Sequence, residues 1–170
     1  MDVLVIPNGD PRRGPTGILT EVDLVAVLNE VVPKYASSVK VWNLSLASEE
    51  LCLDSQFSSF ARALDSLQRR YDVQFVVAAG NYQTPPARRW PLSRDLAGQD
   101  RICAPADAVT AITVGAVAHA QTLTSAARIG DPAPFSRRGP GPSHLVKPDV
   151  VHYGGNCDDS YSYLTTGIRS

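Results

Sequence analysis

Val73-Gln74-Phe75-Val76-Val77-Ala78-Ala79-Gly80-Asn81 is the stretch on which the reading of the fold turns. A continuously apolar, largely β-branched run suits a strand covered on both faces of a parallel sheet. Gly80-Asn81 marks its end, and open parallel sheets bind ligands off the carboxyl ends of their strands. Small residues there admit a ligand's backbone, and an asparagine amide is a neutral donor suited to a developing oxyanion. An Asn after Gly is equally an ordinary turn residue, so its meaning depends on the rest of the chain.

Upstream, residues 56–71 carry Phe57, Phe60, Ala61, Leu64, Leu67 and Tyr71 at helical spacing, with Arg62, Asp65 and Arg69 elsewhere. That spacing predicts a helix with one apolar stripe. Residues 39–46 and 3–6 read as further strands. Between them a helix is expected over 20–35, with Thr20 as N-cap and Glu21 and Asp23 in its first turn. Apolar residues cover much of its circumference, which predicts deep burial. Downstream, 111–117 reads as a strand and Val150-Val151 as a stub. Strands alternating with helices imply a parallel α/β sheet with right-handed crossovers. Residues 82–104, with Pro85, Pro86 and Pro91 and no periodicity, read as a long surface loop of the functional or mobile kind. The tail, 154–170, shows no closing element and looks cut in mid-fold.

The 170 residues suffice for one domain and are treated as such over 1–170. A composition 44% hydrophobic and 19% charged excludes a disordered chain. A net charge of -1 gives no bulk attraction to nucleic acid or an anionic membrane, and the four Arg-Arg pairs are scattered. No apolar run is long enough to cross a bilayer, and the N-terminus lacks the features of a signal peptide. Cys52, Cys103 and Cys157 match neither a disulfide framework nor zinc spacing and read as small buried side chains. A loop from Gly9 to Gly14 has the glycine spacing of a phosphate loop, but Pro15 stands where the lysine should be. A nucleotide-binding domain is therefore a minor alternative.

Five blocks, taken in order, resemble the subtilisin-like serine proteases (subtilases). Val41-Trp42-Asn43-Leu44-Ser45-Leu46 resembles their V-I-N-M-S-L-G strand, and Val76-Val77-Ala78-Ala79-Gly80-Asn81 their V-x-A-A-G-N. Pro105-Ala106-Asp107-Ala108-Val109, with Ile112-Thr113-Val114-Gly115-Ala116-Val117, is similar to the family's P-A segment and the V-G-A strand after it. Pro134-Phe135-Ser136-Arg137-Arg138-Gly139-Pro140 and Lys147-Pro148-Asp149-Val150-Val151 resemble F-S-S-x-G-p and K-P-D-V.

This resemblance implies a three-layer, parallel-sheet subtilisin-like fold, incomplete here and representing the central part of a catalytic domain. It implies a serine endopeptidase acting on polypeptides in the full-length parent. Asn81 matches the oxyanion-hole asparagine. Ser45, Leu46, Ala47, Ala78, Ala79 and Gly80 match the walls of the primary specificity pocket, with Ala47 in place of a common Gly. Pro105 aligns with a proline that is often cis. Calcium accompanies many subtilases, but no acidic loop here has ligand spacing, so no cofactor or metal site is assigned. Family members are often secreted.

The family's Asp-[Ser/Thr]-Gly, His-Gly-Thr and Gly-Thr-Ser motifs do not occur in these residues. The histidines, His119, His144 and His152, fall where the family does not place its base, and His152 is expected in a solvated turn. The chain by itself is accordingly expected to be inactive and to self-associate through apolar surface that a complete domain buries. The alternative is a non-catalytic, subtilase-derived module that binds peptides or partners.

Overall fold

The computed structural model describes residues 20–48, 50–92, 95–162 and 166. Helix α1 (Glu21–Tyr35) leads to β1 (Val41–Leu44), helix α2 (Ser59–Tyr71), β2 (Gln74–Ala78), β3 (Ile112–Val117) and β4 (Val150–Tyr153). The strands form one sheet in the order β1-β2-β3-β4, with every neighbouring pair parallel. The expected strand at 3–6 and the Gly9 loop lie outside the described residues.

Local chemistry sets the helix starts. Thr20 and Asp23 form a reciprocal capping box, with Asp23 N donating to Thr20 Oγ1 at 3.2 Å and Thr20 N to Asp23 Oδ2 at 3.1 Å. The second helix begins at Ser59 rather than 56. Ser58 is its cap, accepting from Ala61 N at 3.0 Å, and Asp107 fixes that cap by accepting from Ser58 N and Oγ at 2.6 and 2.9 Å. The strands are also trimmed: 39–46 shortens to Val41–Leu44 and 73–79 to Gln74–Ala78, whereas the stub at 150 extends to Tyr153.

The pleat sorts side chains by face. Trp42, Phe75 and Val77 bury against Phe60, Leu64 and Leu67 of α2 and Leu28 and Val32 of α1. On the other face, Val41, Ile112 and Val150 remain 61%, 37% and 49% exposed. Among the described residues two of the three expected layers are thus present, and helices cover the strands on one face rather than two. Helix α1 is also less buried than its sequence predicts. It lies outside α2 and sinks only Leu28 and Val32 completely, leaving Val22 78% exposed.

The segment 82–104 is no loose surface loop. Tyr82, Ala87, Leu96 and Ile102 are buried, and an internal ion network pins it. Asp100, wholly buried, accepts from Arg88 Nη1 at 3.3 Å and Arg138 Nε at 2.7 Å, while Arg88 Nη2 donates to the Ala133 carbonyl. Burial pulls the Arg88 guanidinium below its ordinary pKa, with Asp100 opposing that shift. The tail is likewise anchored as far as it is described. Buried Asn156 donates to the carbonyls of Ala120 and Ala127, and the Thr166 hydroxyl donates to the Asn156 carbonyl.

The three cysteines are buried and form no disulfide, and burial pushes the Cys157 thiol up to about 11. The Ala104–Pro105 bond is cis. No described helix is long and apolar enough to cross a membrane.

Candidate active-site cleft

Because all four strands are parallel, their carboxyl ends share one edge of the sheet, and there a cleft of about 440 Å³ opens on its exposed face. Asn43 near the end of β1 and Ser45 just past it line the cleft, with Ala78 at the end of β2 and Ala79 to Asn81 past it, Ala116 on β3, and His152, Tyr153 and Gly154 at the end of β4.

Segment 134–138 holds the turn after β2. Asn81 pairs antiparallel with Ser136, flanked by Tyr82 N donating to the Phe135 carbonyl at 2.7 Å and Arg137 N to the Gly80 carbonyl at 3.2 Å. Ser136 fixes that segment to the sheet, its hydroxyl accepting from Ala116 N at 2.9 Å. Gly80 sits at φ +95°, in the left-handed region where a Cβ is strained. A Cβ there would also meet Arg137 Cδ at 2.8 Å, Cys103 Cβ at 3.4 Å and Ala47 Cβ at 3.5 Å. The Pro-Phe-Ser-Arg-Arg-Gly block thus buttresses the end of β2.

The wall after β1 is tied in from the other side. Ser48 N donates to the Ala104 carbonyl at 2.8 Å and Cys52 N to the Ile102 carbonyl at 3.0 Å, while Cys103 N reaches the Ala79 carbonyl at 3.4 Å. Residues 45–48, 50–52, 102–104 and 79–81 are therefore drawn together around Gly80 by these backbone bonds. The Lys-Pro-Asp block secures β4: buried Lys147 Nζ donates to Asp149 Oδ2 at 2.7 Å and to the Ala111 carbonyl, and Asp149 accepts from Thr113 N. Gly139 packs against this block so closely that a Cβ would lie 2.4 Å from the Lys147 carbonyl oxygen.

Of the residues singled out from sequence, Ser45, Ala78, Ala79, Gly80 and Asn81 share the cleft. Ala47 contributes its methyl beside Gly80, and Leu46 turns its side chain to the helix-side core. The Asn81 side-chain amide, exposed at the strand end, makes no hydrogen bond to a described residue. His152 is placed differently from expectation, on strand β4 and facing the cleft rather than in a turn. Its ring stands edge-on to Tyr153, with centroids 5.9 Å apart. Sequence reading passed over Arg137, which packs against Gly80 and is held by carbonyls more than thirty residues away. Among the described residues no cluster of three or more His, Cys, Asp or Glu is placed to hold a metal ion.

A model of the subtilase family matches residues 11–169. The chain belongs to the subtilase family. The uncharacterized protein y4bN of Sinorhizobium fredii is 30% identical to this subtilase chain over 133 residues, which cover 68% of the chain and 31% of that protein. The chain therefore spans about a third of the length of this curated relative. Among solved structures, the patellamide maturation protease PatA is similar at 22% identity and a TM-score of 0.52, over 90% of this chain and 44% of that one. The prenylagaramide maturation protease PagA is similar at 16% identity and a TM-score of 0.48, over 85% and 42% of the respective chains. The likeness to PatA establishes a shared fold.

Proposed function

We propose that this subtilase chain forms the oxyanion side and the substrate-binding wall of a subtilisin-type serine endopeptidase. One observation carries the reading: Asn81 presents a side-chain amide with no hydrogen-bond partner among the described residues, just past the carboxyl end of β2, in a cleft bordered by Ser45 and the small residues 78–80. An extended peptide laid along these walls brings a carbonyl toward Asn81. In peptide hydrolysis of this type, a serine oxygen adds to that carbonyl, a histidine takes the serine proton, and an aspartate orients the histidine. The carbonyl oxygen becomes an oxyanion, and the Asn81 amide donates to it without itself changing protonation state. The walls serve a different purpose, fixing the register of the peptide before the chemistry.

These 170 residues contain none of the three motifs that would supply the serine, histidine and aspartate. On this reading the chain alone binds extended peptides and does not turn them over. Its purified form should neither react with a fluorophosphonate serine probe nor hydrolyse a fluorogenic peptide. The gene's entire reading frame, expressed and assayed in the same way, is expected to show peptidase activity. Asn81→Ala in that protein should lower kcat by roughly a hundred- to a thousandfold with KM little changed, the magnitude known for a subtilisin's own oxyanion asparagine. A reading frame without serine-probe labelling would leave a non-catalytic peptide-binding module, and loss of KM instead of kcat would deny Asn81 the oxyanion role.

A further inference from the structure

The two proposed pocket walls, residues 45–47 and 78–80, do not enclose a slot. Segment 102–104 lies between them and is bonded on both sides. Toward the chain that continues the first wall, Ser48 N donates to the Ala104 carbonyl, Cys52 N to Ile102 and Ala104 N to Glu50. Toward the second wall, Cys103 N reaches the Ala79 carbonyl at 3.4 Å. Ala79, Gly80 and Cys103 are buried, and Ala79 packs with Cys52, Ile102 and Ala106 in a small core of its own. The walls lend Ser45, Ala78, Ala79 and Gly80 to the lining of the cleft, but not Leu46, Ala47 or Cys103. The cleft therefore stops at Gly80 instead of continuing between the walls.

The place of a Gly80 Cβ measures the space that is left there. Such an atom would lie 2.8 Å from Arg137 Cδ, 3.4 Å from Cys103 Cβ and 3.5 Å from Ala47 Cβ. Carbons from three separate segments thus form a collar around a point that not even one methyl can occupy undisturbed. Two members of the collar are firmly held. Cys103 is fixed by its reach to Ala79 and by its bridge to Leu51. Arg137 is fixed by bonds from Nε to the Asn81 carbonyl and from Nη1 to the carbonyls of Gln99 and Arg101. A space filled in this way accepts further methylenes only by straining its surroundings.

We infer that Ala47, Cys103 and the methylene stem of Arg137 close the primary side-chain pocket, so that the cleft selects a small residue, glycine, alanine or serine, at the substrate position facing Gly80. The inference rests on the proposed peptide-binding reading and adds the substrate's chemical class. A larger side chain at that position lifts the peptide backbone away from Gly80, and with it the carbonyl that approaches the Asn81 amide. The three residues act as specificity residues by the volume they occupy, and none of them bonds the substrate.

The test titrates extended hexapeptides into the isotope-labelled chain and takes Kd from the saturating shifts of the Gly80 and Asn81 amides, so that binding elsewhere does not count. The peptides are identical except for one central residue: alanine, leucine or phenylalanine. Their flanking residues are valine and threonine, all larger than alanine, so only one register sets a small residue over Gly80. The alanine peptide is expected to bind roughly tenfold more tightly than the leucine peptide and more tightly still than the phenylalanine peptide, the scale of forcing methylenes into a filled space. This comparison uses the unaltered protein and does not depend on a variant folding. Ala47→Gly, at an exposed position, should already narrow the preference, and with Arg137→Ala added it should fall to about twofold or less. Equal binding of the three peptides, or tighter binding of a larger one, would overturn the inference and leave the peptide-binding reading standing. A preference undiminished in Ala47→Gly and in the double variant would do the same. Absence of these shifts with every peptide would remove both.

Discussion

Arg137 Nε donates to the main-chain carbonyl of Asn81 at 2.9 Å, so the turn after β2 is held through its backbone while the Asn81 side-chain amide has no partner among the described residues. The same arginine extends to the carbonyls of Gln99 and Arg101, which join the turn to the long segment 82–104. These three bonds tie the turn that carries Asn81 to segment 99–101.

Gly80 is the tightest point of that turn. Gly80→Ala places a Cβ at φ +95° and 2.8 Å from Arg137 Cδ, so either the turn or the arginine must shift. The substitution should cost about 1–3 kcal/mol, the usual range for a strained backbone position. Urea unfolding should show a lower midpoint with an unchanged slope.

Asp100 holds two guanidinium groups from a fully buried position, and Arg88 is itself buried. Asp100→Ala leaves Arg88 as a buried charge without its partner, and destabilisation of about 3–5 kcal/mol is expected. The double variant with Arg88→Met should recover part of that loss. Thermal or denaturant unfolding of the four proteins in the cycle measures it.

At the far end of segment 82–104, Asp158 closes a turn by accepting from Ser162 N, Ser160 Oγ and Ser160 N. The bond from Ser162, and after it those from Ser160, hold its carboxyl below the usual aspartate range. The folded pKa lies below the unfolded one, so this stabilisation is complete above about pH 3.9 and disappears as pH falls through the folded value. Carboxyl carbon NMR should give Asp158 a lower midpoint than a free aspartate. Ser160→Ala should raise it.

Much of this architecture can be read from residue pattern. The apolar runs around Val77 and Val114 and the helical stripe from Phe60 to Leu67 each specify an element, and the cap Thr20 has its usual chemistry, whereas the cap Ser58 is set by Asp107, 49 residues away. The proposed site rests on a different signal: Ser45, Gly80 and Asn81 sit in short blocks that resemble those of a family, and the fold brings them to one cleft. What stayed hidden depends on contacts between distant segments. Segment 82–104 lacks periodicity yet is fixed by Asp100 and Arg138, which are 38 residues apart. Apolar continuity in β2 suggests cover on both faces, but coverage depends on neighbours that a strand's own sequence does not name. Arg137 looks like one of four scattered Arg-Arg steps until its three carbonyl partners are placed around it.

The exposed sheet face has its own consequence. Val41, Ile112, Val150, Val151 and Tyr153 are all more than a third exposed, along both edges and one face of the sheet. Such surface favours pairing of copies. Sedimentation velocity should show the weight-average mass rising with concentration, and Val150→Lys should suppress the rise. A monomer that persists at high concentration would refute this expectation.

The most direct test of the central claim, that the cleft at Gly80 and Asn81 receives a peptide, is an amide chemical-shift map of the chain titrated with an extended peptide. The account predicts saturable shifts concentrated at Asn43, Ser45, residues 78–81 and the Asn81 side-chain amide, all of which border the cleft. Shifts confined to other surfaces, such as the hollow between Pro85, Leu123 and Asp158, or no saturable shift at all, would contradict it.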